Sequence, residues 1–396
     1  MQWEQRITDV QQHLAHEKID GWLLFDFLGQ NSLARDFLQI DPNHLITRRF
    51  FYWVPAKGEP VKLLHAIEPH VLDHLPGKKL VYLKWQELQS SLKEILKGSK
   101  TVAMEYSPNN AIPYLSKVDG GMVDLVRSCN VDVVSSGSFL QYYTCVLCDE
   151  QLKSHLEAAE FLDITVAKAW EMIAVHLKGG RTIDEYAVRS FIASEFEKNG
   201  YITEGLPICA VNAHSADPHF EPLKTGSSEI KKGDFVLIDL WCKKKAPGSI
   251  YGDITRVGFA GPAPTARHQE IFSIVRDAQR QATEFVEKRW KNKETIRGFE
   301  VDQVCRNVIE KAGYGKYFTH RTGHNIYTKD HGPGAHIDSL ETNDLRPLIP
   351  RTCFSIEPGI YLTGEFGVRC EYDVYLNADG TILVTGGSQD AITCFL

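Results

Sequence analysis

The sequence has no long apolar run. Its purely apolar stretches are strand-sized, far short of the roughly 20 residues that a membrane-spanning helix needs. The N-terminus, MQWEQRITDVQQHLAHEKID, lacks the apolar core of a secretion signal and reads as an amphipathic helix. A soluble, non-exported, cytoplasmic protein is therefore expected, with no membrane partner. A basic stripe with interleaved aromatics is also missing. Lysine and arginine are scattered and the net charge is −7, so nucleic acid is not an expected partner. The nine cysteines are odd in number and dispersed, which suits a reducing compartment better than a disulfide framework. Cys145 and Cys148 form a single CxxC with no second pair. A structural zinc needs four ligands, so these two are read as ordinary thiols near a domain junction. Internal repeats and low-complexity tracts are absent.

What is present is an ordinary globular composition, 43% apolar and 24% charged, over 396 residues, too many for one simple core. Strand and helix signals alternate in the first part of the chain. The candidate strands are 21–27, 49–55, 61–67, 79–83, 101–106 and 131–135, with a helical pattern from Trp85 before Ser99, which predicts an α/β domain with a mixed sheet. Near residue 150 the pattern changes. Leu152, Leu156, Ala159, Leu162, Val166, Trp170, Ile173 and Leu177 mark a long amphipathic helix ended by Gly179-Gly180. A second helix is expected from about Thr182, with Asp184 and Glu185 in its first turn, and a third from Thr265 to Trp290. The remainder reads as strand-rich: 235–242, 252–261, 352–362 and 367–376, the last two able to pair through TGEFG. The KKK run at 243–245 reads as a solvated loop.

The chemical signal is a set of misplaced acids. Asp239 sits inside FVLIDLWC, Asp253 opens the next strand, Glu357 interrupts CFSIEPGIYL, and Glu371 lies in VRCEYDVYL. A lone acid in a strand more often faces solvent, but a buried carboxylate without a partner costs several kcal/mol or more. His324, between Gly323 and Asn325, could add an imidazole nitrogen. Four carboxylates and a neutral histidine carry a formal charge of −4, which two divalent cations balance. Oxygen-rich ligation with one histidine suits Mn²⁺, Co²⁺, Zn²⁺ or Fe²⁺.

LIDLW (237–241), GDITRV (252–257), HRTGHNI (320–326), SIEPGIY (355–361) and RCEYDV (369–374) occur in the order found in the pita-bread metallopeptidases. The chain resembles the prolidase, aminopeptidase P and creatinase members of that family. The resemblance implies an α/β creatinase-like domain over 1–145 and an α+β pita-bread domain over 150–396. It implies metal ligation by Asp239, Asp253, His324, Glu357 and Glu371, with Asp253 and Glu371 bridging two ions, Mn²⁺ foremost. Glu357 is then the general base acting on a metal-bridging water, His331 the group that stabilises the oxyanion, and His219 a substrate-orienting residue. His320, Arg369 and Tyr327 are further candidates around the substrate and ligands, and Phe220 with Tyr327 for a proline pocket. Arg369, two residues before Glu371, would share its strand face and hold that ligand from behind.

The implied activity is hydrolysis of the bond before proline in Xaa-Pro dipeptides or short peptides, by a homodimer. Departures from the family pattern bear on the substrate more than on the metals. Asp239 and Asp253 are fourteen positions apart, with Lys243–Gly248 between them as a longer hairpin loop. Tyr327 replaces a usual glycine, and Gly332 a usual acid. Two alternatives stay open: a hydrolase or lyase of a small non-peptide substrate on the same fold, and a catalytically silent peptide-binding module.

Overall fold

The computed structural model describes residues 3–41 and 43–396. It divides into two compact units, residues 1–144 and 145–396.

In the first unit each expected strand region contains a strand: β1 (Gly21–Asp26), β2 (Phe50–Pro55), β3 (Val61–His65), β4 (Lys78–Tyr82), β5 (Thr101–Met104) and β6 (Asp132–Ser135). They form one mixed sheet in the order β4-β3-β2-β1-β5-β6. Its helices are α1 (Trp3–Glu17), α2 (Ser32–Phe37), α3 (Trp85–Ile95), α4 (Gly120–Arg127) and α5 (Gly137–Thr144). The amphipathic N-terminal segment is α1, apart from Met1 and Gln2, which lie outside the described residues. Successive side chains of β1 point to opposite faces. Trp22 and Leu24 pack with Val10 and Leu14 of α1, whereas Leu23 and Phe25 pack with Leu88 and Leu92 of α3. Both faces are covered, which is why the strand is continuously apolar in sequence.

The second unit contains α6 (Asp149–Lys178), α7 (Glu185–Lys198), α8 (Ala266–Lys291) and α9 (Gly298–Lys311). Its strands are β7 (Tyr201–Ile202), β8 (Ile208–Val211), β9 (Phe235–Lys244), β10 (Gly252–Phe259), β11 (Asn325–Ile326), β12 (Cys353–Ile356), β13 (Gly359–Leu362), β14 (Phe366–Arg369), β15 (Tyr372–Leu376), β16 (Ile382–Thr385) and β17 (Thr393–Cys394). Three sheets result: β17-β10-β9-β7 with β8 also on β9, β11-β12-β15-β16, and the hairpin β13-β14. Among the described residues no helix is long and apolar enough to cross a membrane.

The structure corrects four local expectations. Asp184 caps α7 from outside by accepting from Ala187 N, and only Glu185 lies in the first turn. Helix α9 falls where strand was expected; its buried Val301, Cys305 and Ile309 follow a helical spacing. Lys243 and Lys244 extend β9 instead of forming a loop: Lys243 donates to Thr328 O and Lys244 pairs with Glu157. The two long C-terminal strands are each broken. CFSIEPGIYL divides into β12 and β13 around Glu357-Pro358, where proline removes an N–H from the ladder. GVRCEYDVYL divides into β14 and β15 around Cys370-Glu371. The halves still pair across the turn, β13 with β14 and β12 with β15.

Candidate metal centre

Strand β9 presents two faces. Val236, Ile238, Leu240 and Cys242 join the core under α6 and α7. On the opposite face Phe235 and Leu237 enter the core formed with α8 and α9, and the next residues on that face are Asp239 and Trp241. The neighbouring strand does the same: Val257 and Phe259 lie in that core, followed towards the strand start by Thr255 and Asp253. In register, Asp239 pairs with Thr255 and Asp253 with Trp241, so the two acids share a face as diagonal neighbours. The apolar sheet face thus changes to a polar one partway along both strands.

The strand breaks bring Glu357 and Glu371 to this polar patch. Ile356 is opposite Tyr372, and Gly359 opposite Arg369, which leaves the two glutamates in facing gaps of the ladder. Backbone groups freed there are recaptured. Gln279 of α8 donates Nε2 to Ile356 O at 2.8 Å and to Cys370 O at 3.0 Å. Glu357 N donates to Thr322 O, and Arg256 Nη1 to Glu371 O at 2.7 Å. His324 enters from just before β11, where Gly323 has its Cα against the Ser355 carbonyl; an added Cβ would lie 1.9 Å from that oxygen.

All five expected ligands meet here, four of them buried and Glu357 half-buried. His324 Nε2 is 3.3 Å from Glu357 Oε1 and 3.7 Å from Asp253 Oδ2. Thr255 Oγ1 donates to Glu371 Oε2 at 2.6 Å and reaches Asp239 Oδ1 at 3.3 Å. One ligand atom each from Asp253, His324 and Glu371 lie within 4.8 Å of one another. The Asp330 carbonyl, 3.2 Å from His324 Nδ1, can only accept. Nδ1 therefore carries the proton and Nε2 is the nitrogen offered to a cation.

The electrostatics fit a cationic guest. Burial, then the charges of Glu371, Asp330 and Asp239, push Asp253 well above the ordinary carboxylate range. Burial, then Glu357 and Asp239, do the same to Glu371. Burial also raises Asp239, against the pull of Arg369. Burial opposes ionisation of Glu357 too, but the hydrogen bond and charge of His324, with His320 and Arg369, hold it well below that range. Asp253 Oδ1 is buried with no hydrogen-bond partner. Several acids packed together with an orphaned oxygen suit divalent cations, which supply the missing positive charge.

Arg369 is not placed as the strand reading expected. The ladder breaks between it and Glu371, and its guanidinium goes to Asp239, with Nε donating to Thr255 Oγ1 at 2.9 Å and lying 4.0 Å from Glu371. Its Nη1 donates to Tyr361 OH at 3.2 Å. His320 Nδ1 faces the Arg321 carbonyl at 2.6 Å, so Nε2 accepts from Tyr361 OH at 2.7 Å. His320 thereby stands behind Arg369, which stands behind Asp239. His331 lies on His324, ring centroids 3.9 Å apart, and accepts at Nδ1 from Arg321 Nη2, leaving its proton on Nε2. With Nδ1 accepting from the always-charged Arg321, His331 serves as a donor at Nε2. His219 is exposed. Phe220 stacks on His214 at 4.3 Å, and Tyr327 packs against the Leu147, Ile250 and Tyr251 cluster. Thr255, Gln279, Tyr361, Arg321 and Asp330 were not singled out from sequence. Thr255, Arg321 and Tyr361 lie inside the motifs GDITRV, HRTGHNI and SIEPGIY, and Asp330 stands beside His331, whereas Gln279 carries no local signal.

An α+β unit with a buried carboxylate–histidine cluster at its strand breaks defines a pita-bread metallopeptidase. The chain matches the metallopeptidase family M24 over residues 154–378 and belongs to that family. It is 34% identical over 206 residues to an uncharacterized peptidase of Staphylococcus saprophyticus, a match spanning about half of each chain (51% of both). It is 32% identical to an uncharacterized peptidase of Staphylococcus epidermidis over 96% of this chain and 98% of that one. Among solved structures, the dipeptidase PepE of Mycobacterium ulcerans superimposes with a TM-score of 0.71 at 21% identity, covering 100% of this chain and 98% of that chain. The prolidase of Thermococcus sibiricus gives 0.67 at 24% identity, covering 99% of both chains. At these identities the structural likeness establishes the fold.

Proposed function

We propose that the chain hydrolyses the bond before proline in Xaa-Pro dipeptides or short Xaa-Pro peptides, using two divalent cations, Mn²⁺ foremost. Asp239, Asp253, His324, Glu357 and Glu371 would hold them. The observation that carries the reading is the convergence of four carboxylates, three of them buried and that of Glu357 half-buried, around one histidine whose Nε2 faces them. The substrate class is supported by the prolidase and dipeptidase names of the structural relatives. When bound, such ions polarise a scissile carbonyl and make water acidic enough to ionise near neutral pH.

The chain's own groups do the rest. Glu357, held ionised, takes a proton from the attacking water at its carboxylate and returns it to the leaving nitrogen. Before proline that nitrogen carries no hydrogen, so protonation lets it leave as a secondary amine. Water oxygen joins the carbonyl carbon as the C–N bond breaks. His331, neutral with its proton on Nε2, donates to the carbonyl oxygen as charge develops there. His219, exposed on its loop, orients the substrate through its terminal carboxylate. Arg369, backed by Tyr361 and His320, keeps Asp239 in place. A homodimer is part of the same reading, and light scattering of the full chain measures it.

The test is hydrolysis of Ala-Pro and Ala-Pro-Ala by apo protein titrated with Mn²⁺, Co²⁺ and Zn²⁺. Metal-dependent release of proline from the dipeptide alone marks a dipeptidase. Cleavage of the tripeptide to alanine and Pro-Ala marks an aminopeptidase. Two bound ions without turnover of either peptide would overturn the proline-peptide reading in favour of a small non-peptide substrate. Failure to bind metal would overturn the metallopeptidase mechanism and favour a peptide-binding module.

A further inference from the structure

A fifth acid faces the cluster. Asp330 lies six residues after His324 and immediately before His331, and only 9% of it is exposed. Its Oδ1 is buried and receives no bond from a neighbouring N–H or hydroxyl donor, as is true of Asp253 Oδ1 and of Asp373 Oδ1 beside it, and its carboxyl group faces that of Asp253. A buried carboxylate oxygen left without a donor is costly, and three such oxygens in one region are harder to explain by packing. One ligand atom each from His324, Asp330 and His331 lie within 4.8 Å of one another, and His324 also belongs to the trio with Asp253 and Glu371. The two trios therefore meet at His324.

His331 does not complete the first trio as a ligand. Arg321 donates to its Nδ1 at 3.1 Å, so its Nε2, 3.6 Å from Asp330 Oδ2, carries hydrogen and has no lone pair to offer. Asp330 does have lone pairs. Its backbone is already committed to this histidine, since its carbonyl fixes the proton on His324 Nδ1 and so turns Nε2 towards the acids.

We propose that the Asp330 carboxylate is a further ligand to the cation that His324 holds. The inference rests on the two-cation reading above. One residue then acts twice on the same ion: its carbonyl orients the imidazole, and its side chain binds alongside it. The extra oxygen makes that half of the site harder and more anionic, which favours an oxygen-seeking ion such as Mn²⁺ there over Zn²⁺.

Calorimetric titration of the full-length apo chain with Mn²⁺, beside thermal melting with and without the ion, tests this. For Asp330→Asn, which keeps shape and removes charge, one of the two dissociation constants should weaken by about 10- to 100-fold while the other stays unchanged. The apo variant should melt no lower than apo wild type, because an unpaired buried charge has been removed, and should gain less from Mn²⁺. A structural aspartate would give the reverse, a lower apo melting temperature. Asp330→Ser carries the same expectation should the amide variant fail to fold. Unchanged constants for both ions would overturn the assignment, as would a lower apo melting temperature with both ions lost together. Fewer than two ions on the wild-type chain would instead overturn the two-cation reading, an outcome visible before any variant is made.

Discussion

Glu357, half-buried, lies 3.3 Å from the His324 imidazole and 4.0 Å from the Arg369 guanidinium, neighbours that favour its ionised form. Its proposed proton transfer is separable from its ligand role by Glu357→Gln, which keeps an oxygen ligand but cannot take up the proton. Turnover of Ala-Pro should fall by about 10²- to 10⁴-fold. A rate within tenfold of wild type at full metal loading would remove Glu357 as the base. His155 shows a different use of burial. It sits between Tyr251 O at 2.6 Å and Thr385 Oγ1 at 2.7 Å, tying α6 to the residue just before β10 and to β16, and burial pushes it down to about 4. An unfolded histidine titrates near 6.5. As pH falls from about 6.5 to about 4, the unfolded chain takes up a proton that the folded chain does not, so stability is lost across that window. The full effect is on the order of 3 kcal/mol. Urea unfolding of His155→Gln should show a shallower decline over this range than wild type. Equal slopes would mean that other groups carry the acid sensitivity.

At the scale of elements, the site depends on broken strands. A continuous β12–β13 strand would alternate its side chains through Glu357 without interruption. The break opposite Cys370-Glu371 instead leaves carbonyls without ladder partners, and Gln279 satisfies two of them from α8. Replacing Gln279 by leucine keeps most of the volume and strands both carbonyls. The expected loss is about 1–3 kcal/mol of stability for each one left unpaired. Metal affinity should fall in parallel, because both glutamates follow or precede the released bonds. Unchanged urea stability would show that other groups satisfy these carbonyls. Sequence periodicity could not locate the breaks, since it reads side-chain alternation and not which backbone groups lack partners. It did mark the residues between them, because acids in apolar strands stand out whether or not the strand continues. Helix α9 was legible in the spacing of Val301, Cys305 and Ile309 but was overshadowed by the apolar strands around it.

For the whole molecule, the clustered acids predict linkage between metal and stability. Repulsion among Asp239, Asp253, Glu357 and Glu371 destabilises the apo chain, and ions bound only by the folded state relieve it. Chelation should lower the melting temperature, and Mn²⁺ at a hundred times its dissociation constant should restore about 2.7 kcal/mol per site. A melting temperature indifferent to both chelator and Mn²⁺ would show that the acids are accommodated without cations.

The sequence alone determined the family, the strand regions of the first unit, β9 and β10 of the second, and the identity of the acids, because side-chain type and two-residue alternation are local properties of the chain. Tertiary structure decided how those acids are used. Register set Asp239 beside Thr255, strand breaks faced Glu357 with Glu371, and packing turned Arg369 towards Asp239 and placed Asp330 beside His324. These are contacts between segments up to 130 residues apart. Their geometry follows from which backbone and side-chain groups must satisfy one another once water is excluded, a condition that exists only in the folded chain.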